Sequence, residues 1–234
     1  MNDHLLKPTE HQLFTIKLIA IYAGSILVLW NIPILKEILW PFKIFTVALH
    51  EFGHAIVGIM TGAKIESITL DPNEGGATKM KGGNFYLSLP AGYVGSSFWG
   101  ALMVFAGFDT LASQIVSCIV GASMLIILFY ARNWLARMIT VFFVGLIAVL
   151  WWYNQSFYLR YFVLFLGVMS CLYSLWDIVE DLISRKVNES DATKYSKLCC
   201  RGMIPSQVWG IIWFMISLLF LAAGVIAALI VFKD

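Results

Sequence analysis

His50 and His54 stand four residues apart in "ALHEFGHAIV", with Glu51 between them, in a stretch that is otherwise apolar. On a helix this spacing puts both imidazoles on one face, one turn apart, where they can offer nitrogens to a single ion. Glu51, beside the first histidine, is placed to accept a proton from a water held there. This is the H-E-x-x-H arrangement of metal-assisted hydrolysis, in which zinc lowers the pKa of water to about 7 and the glutamate acts as general base. A solvated polar face is not open to a segment flanked by "FKIFTVAL" and "AIVGIM". Ionisable groups in such a helix face a partner, a cavity or a metal, so the competing explanation is a hydrogen-bonded polar cluster between helices.

Catalytic zinc takes a third protein ligand and keeps one position open. Candidates cluster in "YSLWDIVEDLISRK", where Asp177 and Asp181 share a helical face and Glu180 lies a turn beyond Asp177. At about 1.5 Å per residue, His54 lies roughly 12 Å inside the helix end near Gly62, and Asp177 roughly 10 Å inside the end near Ser184. Asp181 lies only about 4 to 5 Å inside. Depth therefore predicts Asp177 as third ligand, with Asp181 as its supporting partner or the alternative. Pairing with Arg185 or Lys186 at the helix end is the competing role for both. Asp191, in "NESDAT", is expected to belong to a helix cap, Ser190 or Asp191 accepting from the following amides.

The elements that must hold these residues follow from composition. The 234 residues are 60% hydrophobic and 13% charged, with a mean hydropathy of +0.81, which excludes an ordinary soluble domain. An all-α polytopic membrane protein is predicted, forming a single domain over 1–234. Apolar runs lie at about 12–32, 38–62, 88–108, 110–131, 134–152, 157–183 and 206–232, giving six to seven transmembrane helices. Six result if "LPAGYVGSSFWG", with its proline and glycines, makes the 88–108 run broken or re-entrant. The "HEFGH" helix spans about 38–62 and the aspartate-bearing helix about 157–183, followed by a polar loop at about 184–205. Between 64 and 86, "KIESITL" and "ATKM" flank "DPNEGG", which predicts a small β-hairpin insertion at the cytosolic face. Gly75 and Gly76 permit its turn, and Asn84 can partner an exposed amide; these three are the candidate substrate-binding residues.

Lysine and arginine counted over the connections of a seven-span chain place the N-terminus, the hairpin and the large loop together in the cytosol. A formal net charge of +2, scattered over membrane flanks, argues against nucleic acid and for lipid and membrane-embedded partners. No window shows a removable signal, so the first apolar run is expected to be retained. Cys118 and Cys171 lie in apolar runs and Cys199 and Cys200 are adjacent in the polar loop, which is not a disulfide framework.

With "HEFGH" on a helix and a later intramembrane aspartate, the chain resembles the site-2 protease family of intramembrane zinc metallopeptidases, in its short B-like branch. "ITLDPNEGGATKM", "LPAGYVGSSFWG" and "YSLWDIVEDLISRKVNESDA" carry the likeness over most of the chain. The resemblance implies His50, His54 and Asp177 as ligands of one Zn2+, Glu51 as catalytic base, and cleavage of a transmembrane protein substrate in regulated intramembrane proteolysis. "LWDIVED" departs from the Leu-Asp-Gly sequence, with its preceding Asn-Pro segment, common in the family. Two other classes compete: a catalytically silent protein that binds transmembrane clients, and a metal or proton transporter using the same polar residues.

Overall fold

The structure, a computed structural model, describes residues 7–71, 75–183 and 190–233, with backbone alone at 174 and 176–183. The apolar runs form helices α1 (Glu10–Asn31), α2 (Lys36–Met60), α4 (Ala91–Ala106), α5 (Thr110–Tyr130), α6 (Trp134–Trp152), α7 (Phe157–Ile183) and α9 (Ser206–Val231). Two short helices, α3 (Phe85–Ser88) and α8 (Asp191–Cys200), and strands β1 (Lys64–Asp71) and β2 (Gly75–Lys81) lie between them.

Local chemistry sets several boundaries. Thr9 and Gln12 form a capping box at the start of α1, and the Asp109 carboxylate accepts the Ala112 N–H at 2.8 Å to open α5. Five segments are long and apolar enough to cross a bilayer, one of them Trp134–Tyr173. That segment contains two helices, because α6 and α7 turn at Tyr153–Ser156, where Asn154 and Gln155 take left-handed φ values of 48° and 52°. Outward side chains such as Ile115, Phe142 and Leu219 stay exposed and apolar, as lipid-facing helices require. The chain is an integral, polytopic, essentially all-α membrane protein with one small hairpin.

The 88–108 run is broken at its start. α4 begins only after Pro90 and is then continuous for 16 residues, about 24 Å at the helical rise. It sits among α2, α7 and α9. A Cβ at Gly100 would meet the backbone nitrogen of Cys171 at 2.9 Å, and one at Gly167 that of Val104 at 2.7 Å. The α4 and α7 backbones therefore touch, a contact only small residues permit. Aromatic packing of Phe45 on Phe143, centroids 4.5 Å apart, and Phe42 on Phe165, 4.9 Å, joins α2 to α6 and α7.

β1 and β2 pair antiparallel, with a register shift between Ile65 and Ser67; the turn residues 72–74 lie outside the described residues. β1 buries Ile65, Ile68 and Leu70. Its outer edge is covered by the α5–α6 connection: Arg132 N–H donates to the Ile68 carbonyl at 3.2 Å, and the Asn133 carboxamide bonds both backbone groups of Leu70. Among the described residues, β2 has a strand on one side only.

The span count predicts the start of α1 at the hairpin's end of the bundle, but it lies at the other end. Gln12 donates to the Phe232 carbonyl at 2.8 Å, and His11 and Thr15 bond the Arg160 guanidinium at the start of α7. α1 runs in the direction of α7, which puts its start at the end of the bundle remote from the hairpin. Phe14 meets Tyr161 and Trp30 meets Tyr173, while Phe42 meets Phe162 and Thr46 meets Ser170. Hydropathy counts apolar runs and does not record their direction.

Candidate metal centre

The middle of α2 buries His50, Glu51 and His54 together. Helical spacing sets the two imidazoles side by side, with their Nε2 atoms 3.1 Å apart. His54 Nδ1–H donates to the Ser88 carbonyl at 2.6 Å, which fixes the ring and turns Nε2 toward His50. His50 is held edge-on by Tyr93 of α4, centroids 4.8 Å apart.

A carboxylate completes the group. Asp191 Oδ2 lies 3.1 Å from His50 Nε2 and 2.9 Å from His54 Nε2. Three ligand atoms thus sit at mutual distances close to the edge of a zinc tetrahedron, about 3.3 Å for bonds of about 2.0 to 2.1 Å. Burial by itself would raise the Asp191 carboxyl, but the charge of His54 and hydrogen bonds from both imidazoles hold it well below the usual carboxylate range. Room is left beside the nitrogens by Gly92, where a Cβ would lie 2.3 Å from His50 Nε2 and 2.5 Å from His54 Nε2. The residues present fit a zinc ion, with His50, His54 and Asp191 able to hold it. Glu51 stands beside them, and ligand atoms of His50, Glu51 and His54 all lie within 4.8 Å of one another.

Asp191 reaches the histidines because α8 docks on α9. Ser190 caps α8 by accepting the Thr193 N–H, which frees the next side chain to point inward. Tyr195 packs on Trp209 and Trp213, and Trp213 stacks on Tyr93 at 5.4 Å. The centre opens into a cavity of about 800 Å³, lined by β2 residues Gly75 to Thr78 and by Tyr93, Tyr173 and Asp191.

Among the predicted site residues, His50, Glu51 and His54 come together, and Gly75 and Gly76 line the cavity. Asn84 instead caps α3, accepting the Tyr86 N–H at 2.9 Å. The side chains of Asp177 and Asp181 lie outside the described residues. Of the two residues expected to cap the loop helix, Ser190 does so, and the Asp191 carboxylate faces the histidines. Thr78 carried no signal; it is a polar residue on an alternating strand.

A family model described as Peptidase M50B-like matches residues 18–224. The chain belongs to the M50B-like peptidase family. Its M50B-like match runs from α1 into α9 and so includes every element around the centre. Comparison with curated proteins and with solved structures finds no match.

Proposed function

We propose that the chain is a zinc-dependent intramembrane endopeptidase that hydrolyses a peptide bond in or beside a transmembrane segment of a membrane protein. The observation that carries this reading is the convergence of His50 Nε2, His54 Nε2 and Asp191 Oδ2 within 3.1 Å of one another, with Glu51 alongside. In this reading Asp191, and not Asp177, is the third ligand. When bound, zinc polarises a scissile carbonyl and lowers the pKa of water to about 7. Glu51 takes the proton of the attacking water and delivers it to the leaving nitrogen. Tyr93 and the Ser88 carbonyl hold the imidazoles in place while this happens.

A helical substrate hides its carbonyls and must unwind before it can be cut. The side of β2 that has no strand among the described residues offers backbone N–H and C=O groups for strand addition along the cavity, beside Gly75 and Gly76. Lys64, Lys79, Lys81, Arg132, Arg137, Lys194, Lys197 and Arg201 gather at the hairpin end, which supports a cytosolic mouth by the positive-inside rule.

The test is zinc content of the purified protein together with cleavage of single-span reporter proteins in phosphatidylcholine vesicles. Wild type is expected to bind about one zinc and cut. Glu51→Gln should keep the metal and lose cleavage by about 10³-fold or more. Asp191→Ala should lose zinc, and Asp177→Ala should keep it. Cleavage that survives Glu51→Gln overturns the mechanism; zinc retained in Asp191→Ala and lost in Asp177→Ala returns the third ligand to α7.

A further inference from the structure

The Glu51 carboxylate is held by the hairpin as well as by its own helix. Thr78 of β2 places its Oγ1 2.6 Å from Glu51 Oε2 and 3.0 Å from the Glu51 carbonyl. The carboxylate is the stronger acceptor and the closer one, so the single hydroxyl proton goes to Oε2. Two residues earlier on the same strand face, Gly76 passes the other side of the group. A Cβ on Gly76 would lie 2.6 Å from Glu51 Cγ and 2.6 Å from Oε1. Gly76 has no positive φ, unlike Gly75 at +93°, so space and not backbone conformation demands the missing side chain there. Glu51 is 4% exposed.

We infer that Thr78 and Gly76 are positioning residues for the catalytic base, Thr78 tethering Oε2 and Gly76 leaving room for Oε1 to face the reacting water. The inference rests on the peptidase reading of the centre. It assigns β2 two tasks: its backbone gathers the substrate, and its side-chain face aligns the group that activates water. Among the described residues the Thr78 hydroxyl bonds Glu51, and it acts through that group. Removing the hydroxyl lets the carboxylate rotate, and misplacement of a catalytic group by about 1 Å costs up to about 10²-fold in rate. Ground-state affinity does not depend on that alignment, so the loss falls on kcat.

Thr78→Val removes the hydroxyl and keeps the shape; Thr78→Ser keeps the hydroxyl. With a fluorogenic single-span reporter in phosphatidylcholine vesicles, Thr78→Val is expected to lower kcat roughly 10- to 100-fold with KM within about twofold and zinc unchanged. Thr78→Ser should restore most of kcat, and Gly76→Ala should fall at least as far as Thr78→Val. A wild-type kcat in Thr78→Val, an equal loss in Thr78→Ser, or loss of zinc from Thr78→Val overturns the assignment. A wild type that cuts nothing, or a Glu51→Gln variant that still cuts, instead defeats the peptidase reading. Thermal unfolding then tests the tether without activity. Thr78→Val and Glu51→Ala break the same contact, so their Tm losses should be less than additive in the double variant, and additive losses overturn the tether.

Discussion

At Gly92 the absence of a side chain is itself part of the centre. An ion held at about 2.0 to 2.1 Å from two imidazole nitrogens needs the space beside them free of carbon. The Cβ of an alanine would occupy it, 2.3 Å and 2.5 Å from the two Nε2 atoms. Gly92 lies within α4 without a positive φ, and alanine is the better helix former by about 1 kcal/mol. Gly92→Ala is therefore expected to lose zinc through steric exclusion while α4 keeps its helix. Metal analysis of the purified variant together with its circular dichroism checks this, and a full equivalent of zinc would show that the ion binds away from the α4 face. A packed polar cluster with no role in metal binding predicts no zinc in the wild type as well.

Among the elements, α8 is a short one, yet it carries one of the three converging donor atoms. It is 10 residues long, too short to be stable in water without tertiary contacts. What anchors it is the run of rings from Tyr195 through Trp213 to Tyr93, which ends edge-on against His50. Such aromatic pairs contribute about 0.5 to 1.5 kcal/mol each beyond the area they bury. Trp213→Ala should loosen α8 and withdraw Asp191, weakening zinc binding by roughly tenfold, the scale expected when support for a ligand is lost. Zinc competition with a chelator measures this; unchanged affinity would mean that α8 is held by other contacts. The same element shows where the sequence is legible and where it is not. His50, Glu51 and His54 are readable because helical period alone unites them. Asp191 stands 137 residues from His54 and arrives only through the docking of α8 on α9, for which an acid following a cap serine gives no local sign. Depth along α7 predicts Asp177, whose side chain lies outside the described residues, and a helix in the polar loop has no depth to compare with it. The hairpin was legible from alternation and its turn residues, whereas the approach of Thr78 to Glu51 depends on how the hairpin folds back over α2.

At the scale of the whole molecule, the apolar runs foretold the spanning helices but not the sense in which the first one runs. Gln12 bonds the end of α9, and His11 bonds Arg160 at the start of α7, so the start of α1 lies at the end of the bundle remote from the hairpin. The basic residues of the described hairpin end remain the larger group, including Lys64, Lys79, Lys81, Arg132 and Arg201. Positive-inside bias acts on those residues whichever way α1 runs. The prediction is a cytosolic hairpin with an N-terminus on the opposite side, together with Asn154 at the α6–α7 turn. Single cysteines at Lys7, Lys79 and Asn154, all exposed positions, in a background with the native cysteines replaced by serine, report this through a membrane-impermeant maleimide applied to sealed vesicles of known orientation. Lys7→Cys and Asn154→Cys should label from one side and Lys79→Cys from the other. Labelling of Lys7→Cys and Lys79→Cys from the same side would restore strict alternation and require α1 to lie antiparallel to α7, against the pairing of Phe14 with Tyr161 and of Trp30 with Tyr173.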